Sequence, residues 1–144
     1  MVILLFDAII IIIGGFMQFY CTTITDRSFE DTITAVTAAL QKEGFGVLTT
    51  IDIAAKLKEK IGVEMSRYTI LGACNPPLAH KALSVENKIG VMLPCNIIVQ
   101  ETRDGKVEVS SIDPMASMAA VGNTALTNVA EEVSHKLKAV IGSL

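Results

Sequence analysis

The strongest constraint on the fold is an apolar stripe near the C-terminus. Leu126, Val129, Val133, Leu137 and Val140 recur at steps of three and four, the spacing that puts side chains on one face of an α-helix. A long helix is therefore expected from about Thr124 to Ile141, with Glu132 and Lys136 as an exposed pair one turn apart. A second stripe, Phe29, Ile33, Val36 and Leu40, follows Ser28. The Ser28 hydroxyl suits an N-cap, and Asp31 three residues on makes a variant of the capping box. Gly44 is placed to end that helix. A helix that is apolar on one side must bury that side, and the segments between the two helices read as a sheet able to cover both.

Those segments carry the period of two that marks strands. Residues 17–25 place Met17, Phe19 and Cys21 on one face, and Phe45 to Ile51 place Phe45, Val47 and Ile51 inward. Tyr68 to Cys74 and Val91 to Thr102 are the third and fourth strands. Asp104-Gly105 is a hairpin signal leading into a fifth, Lys106 to Ile112. There Lys106, Glu108 and Ser110 alternate with Val107 and Val109, so one face is wet and the other buried. Short helices are expected from Asp52 to Ile61, stopped by Gly62, from Asn75-Pro76-Pro77 to about Leu83, and after Asp113-Pro114. The order is β-α-β-(α)-β-(α)-β-β-α. It predicts a single α+β domain over residues 17–144, a mostly antiparallel sheet with two long helices on one face.

Residues 1–16, MVILLFDAIIIIIGGF, stand apart as an apolar N-terminal extension. They hold much of the excess that brings hydrophobic residues to 51% of the chain. A spanning helix needs about 20 apolar residues, and here Asp7 and Gly14-Gly15 interrupt the run. No Lys or Arg precedes Arg27, so the basic start of a signal peptide is missing. Three readings stand: a start further upstream than the natural one, with Met17 as first residue; a membrane-associating segment; or an extra strand or interface patch, since consecutive isoleucines favour β structure.

The net charge of −3 argues against nucleic acid and anionic membrane as partners. Lys56-Leu57-Lys58-Glu59-Lys60 reads as a solvated helix face. Three cysteines, Cys21, Cys74 and Cys95, are too few and odd in number for a disulfide framework, so reduced thiols and a cytoplasmic location are expected. There is no phosphate-binding glycine loop, no nucleophile-elbow serine and no zinc-protease histidine pair.

Two stretches carry the candidate chemistry: Gly72-Ala73-Cys74-Asn75-Pro76-Pro77 and Leu93-Pro94-Cys95-Asn96. Cys74 ends a strand just before a helix start, where the helix dipole can draw a thiol towards thiolate. Gly72 allows another chain segment or a ligand to approach the backbone closely. Pro94 cannot donate to a sheet ladder and marks an edge or bulge, a place where side chains are often re-aimed. The candidate binding set is Gly72, Cys74, Asn75, Pro76, Pro94, Cys95 and Asn96, with Cys74 and Cys95 as candidate nucleophiles. Packing is the competing role for each, and for Cys95, which shares a face with Leu93, Ile97 and Val99, a small buried hydrophobe is the plainer one. Cys21 reads as structural. Cys74, His80 and Cys95 would make three zinc ligands with an open position, although their spacing matches no compact metal motif. Met115 and Met118 would be soft copper ligands but at helical spacing read as core. His135, with Glu131 one turn before it, reads as solvated.

Gly44-Phe45-Gly46-Val47-Leu48, Ile70-Leu71-Gly72-Ala73-Cys74-Asn75-Pro76, Gly90 through Leu93-Pro94-Cys95-Asn96, and Ile112-Asp113-Pro114 occur in order across residues 17–144. In these stretches the chain resembles the domain of unknown function 302 family. That resemblance implies a β-α-β4-α fold similar to TATA-binding-protein-like domains, and a homodimer. It implies no DNA binding, because fold does not carry function.

Three functional readings follow, and cofactors stay unknown in all of them. The leading one is a dimeric, non-catalytic binding or redox-linked accessory module that takes a small-molecule or thiol ligand at the two Cys-Asn stretches. The second is an enzyme that uses Cys74 or Cys95 as a thiolate in sulfur or persulfide transfer. The third is a structural or interaction protein with both cysteines packed. Membrane attachment enters only through residues 1–16.

Overall fold

A computed structural model describes residues 18–144. The readings of residues 1–16 and of Met17 lie outside the described residues. The chain runs β1 (Tyr20–Thr25), α1 (Phe29–Lys42), β2 (Gly46–Asp52), α2 (Ile53–Ile61), β3 (Tyr68–Cys74), α3 (Pro76–Val85), β4 (Cys95–Glu101), β5 (Val107–Ile112), α4 (Pro114–Ala119) and α5 (Thr127–Gly142). Short 3₁₀ turns cover Asn87–Met92 and Thr124–Leu126. The five strands form one sheet in the order β1-β5-β4-β3-β2, and every neighbouring pair is antiparallel. No helix among the described residues is long and apolar enough to cross a membrane.

The helices begin where side-chain acceptors are available. The Ser28 hydroxyl accepts from the Asp31 N–H at 3.1 Å, and the Asp52 carboxylate accepts from the Ala55 N–H at 2.9 Å. Gly62 ends α2 at φ +69°, a conformation that costs glycine little. Both long stripes face inward. Val36 and Leu40 of α1 and Val133, Leu137 and Val140 of α5 pack against Leu71, Ile97, Val99 and Val109 of the sheet. A second, smaller cluster of Ala82, Ile89, Met118, Leu126 and Ala130 joins α3, α4 and the start of α5. It contains Met118, with Met115 packed against it, so these methionines are core residues.

Three expectations are corrected. The fourth strand does not begin at Val91: residues Asn87–Met92 form a 3₁₀ turn capped by the Glu86 carboxylate, and Val91 is 85% exposed. Ile51 is not on the inner face of β2. A register shift between Val47 and Thr49 adds a residue to the strand, and beyond it the alternation reverses, leaving Ile51 41% exposed. Lys136 does not pair with Glu132: its ammonium lies 3.9 Å from Glu43, at the end of α1.

Candidate functional site

The antiparallel order brings both Cys-Asn stretches to one end of the sheet. β3 and β5 finish there, while β1, β2 and β4 start there. Ala73 lies opposite Cys95 in the β3–β4 ladder, and Gly72 lies opposite Asn96. Of the candidate binding residues, Gly72, Cys74, Asn75, Pro94, Cys95 and Asn96 therefore meet at this end, with Pro76 on the first turn of α3 beside them.

Most of these residues hold chain segments to one another. A Cβ on Gly72 would lie 2.3 Å from the Thr49 hydroxyl oxygen and 2.7 Å from the Pro94 ring, so the close approach that glycine permits is made by β2 and by the Leu93-Pro94 segment. The Leu93–Pro94 bond is cis. Asn75 is buried. Its side-chain oxygen accepts from the Leu78 N–H at 3.3 Å and its Nδ2 donates to the Glu43 carbonyl at 3.3 Å, joining the start of α3 to the end of α1. The same strand–Asx–Pro–helix junction recurs after β5. Asp113 accepts from the Met115 N–H at 3.0 Å and from the Ser134 hydroxyl at 2.9 Å, and pairs with Lys138 at 3.1 Å. Burial acts to raise the Asp113 pKa, but the Ser134 and Met115 hydrogen bonds and the Lys138 ammonium outweigh it and hold the carboxyl below its ordinary value.

Cys74 and Cys95 line a single void of about 20 Å³, walled by Phe45, Leu78, Leu93 and Val133. Cys95 is buried and Cys74 half-buried. Burial, with the nearby Cys74 thiol as a smaller cause, pushes the Cys95 thiol up to about 11. A thiol so placed stays protonated at neutral pH and is a poor nucleophile. Cys21 is half-buried on β1 with its sulfur 3.1 Å from the Ser111 hydroxyl. His80 is exposed on α3, and among the described residues no three His, Cys, Asp or Glu side chains gather as a metal site. Cys74, His80 and Cys95 are thus not brought together as zinc ligands. His135 and Glu131 are both exposed on α5.

The larger concavity lies on the other side of the sheet. With α1 and α5 covering one face, the opposite face of β1, β5, β4 and β3 forms a groove of about 460 Å³. Two rows of side chains cross it in register: Tyr68, Gln100 and Glu108, then Ile98, Ser110 and Thr22. Gln100 Nε2 donates to Glu108 Oε1 at 2.9 Å, and the Thr22 and Ser110 hydroxyls lie 2.9 Å apart. Phe19 and Tyr20, stacked edge to face with ring centres 5.0 Å apart, stand in one wall. Of the candidates read from sequence, Asn96 reaches this groove. The others in its lining come from four strands, and only strand register unites them. The alternation of Glu108 and Ser110 with Val107 and Val109 was the local signal for a wet face.

Comparison with known proteins agrees with this architecture. The model of the family described as "Domain of unknown function DUF302" matches residues 20–144. The crystal structure of an uncharacterized conserved DUF302 protein from Bacillus stearothermophilus superposes with a TM-score of 0.82 at 27% sequence identity, covering 88% of this chain and 98% of that one. No curated protein gives a significant match. With that family model spanning all five strands and both long helices, the chain belongs to the DUF302 family of domains of unknown function.

Proposed function

We propose that this domain is a non-catalytic binding module that takes a small molecule in the groove on the open face of the sheet. The observation that carries this reading is the groove itself. Its volume of about 460 Å³ falls within the range of ligand pockets, and its lining mixes apolar walls with a few polar groups. The void between Cys74 and Cys95, at about 20 Å³, has room for little more than one water molecule and is mostly apolar. On this reading the two Cys-Asn stretches frame one end of the sheet, and Asn96 is their contribution to the groove. The thiolate-enzyme reading has less support at Cys95, because burial holds that thiol protonated.

The working form on this reading is a homodimer. Its support is apolar surface on β2, on α2 and on the loop after α2: Leu48 is 67% exposed, and Ile51, Ile61, Val63 and Met65 are also exposed. β2 is an outer strand of the sheet, with one edge unpaired among the described residues. Scattered apolar residues are ordinary, but this many along one edge favour an interface. Sedimentation should give twice the chain mass, and Leu48→Lys should halve it.

A fragment library followed by amide chemical shifts tests the binding reading. Hits should perturb Ile98, Gln100 and Ser110, and Cys74→Ser should leave their affinities unchanged. Hits confined to residues 72–79 and 93–95, abolished by Cys74→Ser, would move the site to the cysteines.

A further inference from the structure

We infer that the groove is selective for an amphipathic organic cation, with Glu108 as its counter-charge. This deepens the groove reading and depends on it. Among the described residues Glu108 is the only acidic side chain in the lining, and no lysine or arginine joins it there. Arg67 and Lys106, next to the ends of these strands, are engaged elsewhere. Arg67 lies 4.0 Å from the Phe29 ring centre and 2.6 Å from Glu30, on the helix-covered side, and Lys106 pairs with Asp26 at 3.6 Å.

Consider what any occupant must do. A molecule that fills the groove removes water from Glu108, whose one side-chain hydrogen bond among the described residues is from the Gln100 amide. A neutral apolar occupant leaves the carboxylate desolvated and under-compensated, and an anion adds repulsion. A cation restores the lost solvation directly. The rings of Tyr20 and Tyr68 add a second attraction of the same sign, since aromatic ring faces draw cations. Ile98 and Ile112 then require that the rest of the molecule be apolar. Size follows from the volume: a body of a few fused or clustered rings, not a metal ion or a polyamine.

Tetraphenylphosphonium and tetraphenylborate test this cleanly, because they share size and shape and differ in the sign of their charge. Titrated calorimetrically into the full chain, the phosphonium should bind at least about tenfold more tightly than the borate. Glu108→Gln should erase that preference while leaving the thermal unfolding curve in place. Equal affinities, or a preference for the borate, with both weakened by Ile98→Asp, would overturn the charge assignment and leave the groove reading standing. Phosphonium binding that Glu108→Gln does not alter would place the cation elsewhere and overturn the inference. Binding of neither ion would overturn the inference and count against the groove as well.

Discussion

The two faces of the sheet are made by the same strands and differ in nearly every physical respect. Ile97 and Ile98 are chemically identical neighbours on β4. Ile97 points under α1 and α5 and is fully buried, whereas Ile98 points into the groove and is only partly covered. Along the helix-covered face the residues are Leu71, Ile97, Val99 and Val109, a continuous aliphatic surface. Along the open face they are Tyr68, Gln100, Glu108, Ser110 and Thr22, with Gln100 hydrogen-bonded to Glu108 and Ser110 to Thr22. The covered face is explained by packing alone. The open face carries polar pairs in register beside apolar side chains, and the proposed binding reading rests on that face.

The comparison breaks first at β4. Ile97→Ala should destabilise the domain by about 2–5 kcal/mol, because the space it leaves is enclosed by both long helices. Leu137→Ala should fall in the same range, since it faces the same cluster from α5. Equilibrium unfolding in urea measures both. A near-neutral result at either position would mean that the helices do not cover this face.

Gly72→Ala comes next and probes the end of the sheet where the faces meet. The new methyl group must displace the Thr49 hydroxyl and the Pro94 ring, an overpacking cost of about 1–3 kcal/mol. Asn75→Ala should cost about 1 kcal/mol through loss of the α3 N-cap, with the lost tie to Glu43 adding to it. If Gly72→Ala unfolds at the wild-type midpoint but alters fragment binding, Gly72 serves a ligand and not the close packing of β2 and Pro94.

Acid should act on the second junction. The folded Asp113 carboxyl is held below its unfolded value, so its contribution to stability is present above that unfolded value, about 3.9. It is lost as pH falls through the lower folded value, where protonation weakens the contacts to Ser134 and Lys138. Asp113→Asn should flatten that part of the stability profile between neutral pH and strong acid. The Cys95 thiol works in the opposite direction. Its folded value of about 11 lies above the ordinary 9.0, so stability holds below pH 9 and declines as pH rises from there towards 11. At pH 8, iodoacetamide should therefore leave Cys95 unmodified until the protein is unfolded.

The covered face was legible in the sequence because each of its elements announces itself locally. The stripes of α1 and α5 repeat within a few turns, and Ser28, Asp52, Asn75 and Asp113 mark helix starts by the acceptors they carry. Two errors came from features with no local mark. The extra residue in β2 near Leu48 reverses an alternation that otherwise looks regular, and the run Val91-Met92-Leu93 is apolar enough to read as strand although backbone turns and Pro94 keep it out of the ladder. The groove was illegible for a different reason. Tyr68, Gln100 and Glu108 lie far apart in sequence in part, and nothing in any one of them states that register aligns the three. Cys74 and Cys95 are conspicuous in the sequence by their chemistry, and in the fold they line a small, mostly apolar void.

The smallest expected effect is the one that separates the faces most sharply. Ile98→Ala removes as many carbon atoms as Ile97→Ala, from the adjacent residue of the same strand. It opens no enclosed cavity, because the space is continuous with the groove and fills with water. Its cost should be well under that of Ile97→Ala, near the about 0.5 kcal/mol typical of surface changes. The two variants should then exchange ranks when ligand affinity is the readout: Ile98→Ala weakens binding of any groove ligand, while Ile97→Ala, assayed at a temperature where it is still folded, leaves it nearly unchanged. Equal destabilisation by the two would show the open face covered in solution, as a dimer through that face would cover it. A binding defect in Ile97→Ala alone would place the ligand beneath the helices and reverse the assignment of the two faces.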